Sequence, residues 1–162
     1  MDMSKEQQTL NQPQLEEYEK QQAPEPLPSD TIDGTNVLAR AEALIETLKE
    51  DFLIWLTTEL ETIESIQERW KEDGVDDKGI AHILRTLHDL HAQSITFGYP
   101  VITHLSTTLK DHLTTVLRES ERFIPLVEMH ISALQSATAT AFRAIDSPQS
   151  QRLAKQLAAK KS

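Results

Sequence analysis

The stretch Val37–Trp70, VLARAEALIETLKEDFLIWLTTELETIESIQERW, runs for 34 residues without a glycine or a proline. Its apolar side chains recur at the three- and four-residue steps of a helix: Leu38, Ala41, Leu44, Ile45 and Leu48, then Phe52, Trp55, Leu56, Leu60, Ile63, Ile66 and Trp70. A 3.6-residue period gathers these positions on one side, which a strand would not do. So long a run exceeds the usual length of a globular helix, so the pattern predicts a short lead helix and a longer second one, with a bend near Lys49–Asp51. Glu72–Gly79, EDGVDDKG, interrupts the period with two glycines and a cluster of acids, and reads as a loop.

Moving outward, a further helix starts near Asp77 or Lys78 and sets Ile80, Ile83, Leu87, Leu90 and Ser94 along one face, ending at Gly98, a residue suited to the left-handed conformation of a helix terminus. Pro100 suits the first turn of the next helix, which carries Val101, Ile102, Leu105, Leu109, Leu113, Val116 and Leu117. Pro125 suits the first turn of another, bearing Leu126, Val127, Ile131, Leu134, Ala137, Ala141, Phe142 and Ile145, which Ser147-Pro148 stops. No stretch alternates as a strand would, and no repeat is visible. Short connections between amphipathic helices imply neighbours that run in opposite directions. The expected fold is therefore all-α, an up-and-down antiparallel four-helix bundle with an extra N-terminal helix.

Residues 1–34 hold eight acids against two lysines, six glutamines and four of the seven prolines, without an apolar period. They are expected to be a disordered acidic tail. The bundle is expected over 35–146, and 147–162 as a weakly ordered basic tail, since Leu153 and Leu157 are few anchors. With −6 of the formal −10 charge in the first 34 residues, the rest is only mildly acidic and its cations form no stripe, which argues against nucleic-acid binding. The absence of cysteine excludes thiol nucleophiles, disulfides and zinc thiolates. With no apolar leader and no span long enough for a bilayer, a cytoplasmic protein without membrane insertion is expected.

Chemistry concentrates on the helix before Gly98. A 100° wheel places Leu84, His88, His91, Ala92, Ile95 and Tyr99 on the face beside the apolar one. Two imidazoles set among small and apolar side chains, with no charged residue, suit a transient protein partner. Taken alone, a histidine pair at i and i+3 is more often surface decoration than an active site. His82, His104, His112 and His130 read as ordinary surface or boundary residues, and Trp55, Trp70 and Phe97 as packing.

The segment from His88 to Leu109 resembles the histidine-containing phosphotransfer (Hpt) domains of bacterial phosphorelays. Their helix motif reads approximately His-x-Leu-Lys-Gly-Ser-Ala-x-x-Phe/Leu-Gly, followed by a helix with Leu-Thr and a later leucine. Without a gap, His88 falls on the phosphorylated histidine, Leu90 on the buried leucine, Phe97-Gly98 on the helix end, Ile102-Thr103 on Leu-Thr and Leu109 on the last leucine. Three positions depart: His91 stands where the family usually has lysine, Ala92 where it has glycine, and Lys110 where it often has glutamate.

The resemblance implies a carrier of phosphate without kinase activity of its own. His88 would accept a phosphoryl group from the aspartate of a response-regulator receiver domain and pass it to another receiver, with a hybrid sensor kinase as a further candidate partner. His91 would take the lysine's place as a donor to the phosphoryl oxygens, Leu84, Ala92, Ile95 and Tyr99 would dock the receiver, and Gln93 would orient polar groups on the flank. No cofactor is expected on this chain, because the Mg²⁺ belongs to the receiver. The oligomer is left open between monomer and dimer. The competing reading is a non-catalytic helical adaptor, a degenerate Hpt domain that binds a receiver or kinase without carrying phosphate.

Overall fold

The computed structural model describes residues 34–160, together with Pro13 and Glu16. The expected disordered tail thus lies, but for Pro13, Glu16 and Gly34, outside the described residues. The chain divides into two compact units, 1–41 and 42–162. Of the first, 34–41 is helical, with Val37 and Leu38 exposed.

The described residues form helices joined by short connections and contain no strand, so the fold class is all-α. Between residues 34 and 160 five helices follow one another: α1 (Gly34–Asp73), α2 (Asp77–Phe97), α3 (Pro100–Thr115), α4 (Phe123–Arg143) and α5 (Pro148–Ala159). The closest backbone packing joins α2 to α3, α3 to α4 and α4 to α5. All five contribute to one core: Leu53, Leu56, Leu60, Ile63 and Trp70 from α1, Ile83, Leu87 and Leu90 from α2, Ile102 and Leu109 from α3, Phe123, Val127, Leu134 and Phe142 from α4, and Ala154 and Leu157 from α5. None of the helices is long and apolar enough to cross a membrane.

Two expectations about elements are corrected. The stretch 37–70 is one helix rather than two, since it contains neither a breaker nor a cap that would end a helix near Lys49. There Lys49 pairs with Glu46 at 3.3 Å, while Glu50 accepts hydrogen bonds from the hydroxyls of Ser147 at 2.6 Å and Ser150 at 2.9 Å. The segment read as a separate lead helix is thus part of α1, and a further helix, α5, forms in the segment expected to be weakly ordered. Ser147 caps it by accepting from the Ser150 N–H, Pro148 occupies its first turn, and its buried face carries Ser150, Ala154 and Leu157.

The loop between α1 and α2 is shorter than expected, Gly74–Asp76, with Gly74 left-handed at φ 84°. Gly79 belongs to α2 and is buried against the Trp70 ring. Helix α3 stops at Thr115, which leaves Val116 partly buried and Leu117 exposed beyond it.

Candidate functional site

Helix α2 is fixed at both ends. At its start Asp76 has extended backbone, and its carboxylate accepts from the Gly79 N–H at 2.7 Å, the Trp70 indole N–H at 2.9 Å and the Arg69 guanidinium at 3.1 Å. These bonds favour the charged form, so the Asp76 carboxyl is held well below the usual carboxylate range, at about 2, most strongly by the Gly79 N–H, then by Trp70 and Arg69. At its end Gly98 is left-handed at φ 75°, and the Tyr99 N–H returns to the Ser94 carbonyl at 2.8 Å, closing the terminus as the glycine signal predicts.

Between these ends Ile80, Ile83, Leu87, Leu90 and Ser94 are buried, and the helical period turns His88, His91, Ala92 and Ile95 outward. The Ser94 hydroxyl lies 2.8 Å from that of Thr103, which ties α2 to α3 just below this face. His88 and His91 open onto a cleft of about 260 Å³ between α2 and α3, with Leu87 from α2 and Ser106, Thr107, Lys110 and Asp111 from α3.

Hydrogen bonds distinguish the two imidazoles. The Thr107 hydroxyl lies 3.0 Å from the Thr103 carbonyl and 3.2 Å from His91 Nδ1, so its single proton serves one of the two at a time, and the contact ties the His91 ring to α3. His91 is engaged through Nδ1, while its Nε2 has no hydrogen bond among the described residues. His88 has no hydrogen bond or ion pair among the described residues, and the Lys110 ammonium has none either. The cleft thus combines an unrestrained imidazole, a second ring fixed in orientation, and one cation and one carboxylate from the facing helix.

Of the residues expected to form the site, His88, His91, Ala92 and Ile95 share the exposed face. Leu84 is partly buried against the core, and Gln93 is partly buried and makes no hydrogen bond to His88 among the described residues. Tyr99 is half-buried, its ring 5.9 Å from that of Phe52 and stacked on it. Burial, and secondarily the Glu46 carboxylate, pushes its phenol up from the ordinary value. Leu84 and Tyr99 therefore divide their surface between the core and solvent. A second, more apolar hollow of about 470 Å³ shares Thr107 with the His88 cleft and continues past Ile95, Thr103 and His104 to Gly98 and Tyr99.

Sequence reasoning left Thr107 out altogether and met Lys110 only as a departure from the family's motif, with no role at the site. Their i, i+3 spacing puts them on one side of α3, but only packing shows that this side meets His88. Among the other histidines, His82 and His104 are exposed and His130 is partly buried, as expected of surface or boundary positions. His112 departs from that expectation: it is buried, with Nε2 donating to the Phe123 carbonyl at 3.2 Å and its ring tilted against Phe123. No protein-family model matches the chain, and neither a curated protein nor a solved structure matches it.

Proposed function

We propose that this protein carries a phosphoryl group on His88, taking it from the aspartyl phosphate of a receiver domain and delivering it to another receiver. The observation that carries the reading is an exposed imidazole free of intramolecular hydrogen bonds among the described residues, on a helix fixed at both ends, beside a cation and an apolar groove. An unrestrained neutral ring keeps a lone pair available for attack. The rigid helix lowers the cost of positioning it, and phosphoryl transfer depends mostly on positioning and charge neutralisation.

In the transfer, the unprotonated ring nitrogen of His88 forms the N–P bond as the bond from phosphorus to the aspartyl oxygen breaks. The electron pair of that bond leaves on the aspartate carboxylate, and the ring's other nitrogen retains its proton until solvent takes it. Ala92, Ile95 and the exposed edges of Leu84 and Tyr99 form the docking surface. The Mg²⁺ that neutralises charge is the receiver's.

Mixing the full chain with phosphorylated receiver domains is expected to place acid-labile phosphate on the wild type and none on His88→Gln. Label that persists on His88→Gln and vanishes on His91→Gln would move the site to His91. Asp111 favours a second reading, the non-catalytic adaptor, because its carboxylate in the cleft opposes an incoming dianion. An adaptor would retain its receiver in a pull-down after His88→Gln and would show no label in the wild type.

A further inference from the structure

We propose that Lys110, on α3, is the anchor for the phosphoryl oxygens at His88. The inference rests on the phosphotransfer reading. Three observations carry it. Lys110 lines the same cleft as His88 and His91. It is exposed and has no carboxylate partner among the described residues, so no ion pair must be broken before it meets an anion. Of the residues lining the cleft, it is the one that carries an ammonium, while the His91 ring is tied to the Thr107 hydroxyl through Nδ1.

A phosphoryl group spreads its negative charge over its peripheral oxygens, and a cation placed beside them lowers the barrier to attack by a neutral nitrogen. An ammonium on a flexible four-carbon stem can follow those oxygens as phosphorus moves from donor to ring. Asp111 works against this field, which leaves Lys110 as the group that makes the cleft receptive to phosphate. Lys110 is thus a positioning and charge-neutralising residue, and His88 remains the nucleophile.

Phosphoramidate tests the idea without requiring the natural partner. The His88 nitrogen attacks its phosphorus, the P–N bond of the donor breaks, and ammonia leaves with the protons it already carries. The full-length wild type, Lys110→Gln and Lys110→Arg are incubated with phosphoramidate and the phosphohistidine formed is followed by ³¹P NMR. In parallel, His88 is acylated with diethylpyrocarbonate, an uncharged electrophile. Lys110→Gln is expected to slow phosphorylation about tenfold or more, to leave acylation unchanged, and to be largely rescued by Lys110→Arg. Wild-type phosphorylation of Lys110→Gln, with label still on His88, would overturn the role of Lys110 and leave the phosphotransfer reading standing. Equal slowing of both reactions would also overturn it, since a change in nucleophile exposure would then suffice. A wild type unlabelled at His88 by phosphoramidate and by every receiver tried would overturn both.

Discussion

At Gly79 the backbone of the histidine helix comes so close to the Trp70 ring that a Cβ there would lie 2.8 Å from Trp70 Cζ2 and 2.8 Å from Ile66 Cγ2. Both neighbours are buried, so neither can move aside without disturbing the core. On an open helix, replacing glycine with alanine gains about 1 kcal/mol. Here the overlap outweighs that gain, and Gly79→Ala is expected to destabilise the protein by about 1–3 kcal/mol, seen as a lower midpoint in urea unfolding. A higher midpoint would show that the close approach is not limiting. In the sequence this glycine reads as a loop breaker, because its neighbours are acids and a second glycine. Only the approach of Trp70, nine positions earlier, reveals its packing role.

At the scale of elements, the start of α2 makes the mounting of the site sensitive to acid. The Asp76 carboxyl titrates at about 2 in the folded chain, against an ordinary value of 3.8. Its contribution to stability is therefore complete above 3.8 and is lost as pH falls from there towards 2. Thermal unfolding followed at a series of pH values is expected to show the melting temperature of wild type falling through that window. Asp76→Ala should melt lower than wild type at neutral pH, and the difference should shrink in acid. A constant difference across the series would mean that the cap acts through shape rather than charge.

Helix α5 offers a test of a different kind. Leu157 is 4% exposed, and Glu50 of α1 accepts hydrogen bonds from both Ser147 and Ser150 at the start of α5. Leu157→Ala is expected to cost about 2–3 kcal/mol in chemical denaturation, the lower part of the range for a buried leucine, because the site lies near the chain's end. A loss indistinguishable from zero would return this segment to the loosely held tail that its composition suggests.

At the scale of the molecule, the helix faces were legible because each depends on neighbours within a turn or two. Ile80, Ile83, Leu87, Leu90 and Ser94 are buried as their period predicts, and Gly98 and Pro100 mark ends that local chemistry requires. The exposure of His88 and His91 follows from the same period. Continuity of α1 was harder to foresee, because average helix lengths suggested a break where no residue enforces one. The attachment of α5 was also hidden: two leucines look too few until Glu50, roughly a hundred residues away, is seen to hold the serines at its start.

The candidate site divides along the same line. Local periodicity and end signals are properties of consecutive residues, so the amino-acid order is enough to form the histidine helix and to turn its two imidazoles away from the core. Which face of α3 meets that helix depends on how side chains from distant parts of the chain fill a common interior, and no local pattern records it. Folding therefore brings Lys110 and Thr107 to the histidines, and with them a cation in the cleft and a hydrogen bond that His91 has and His88 lacks.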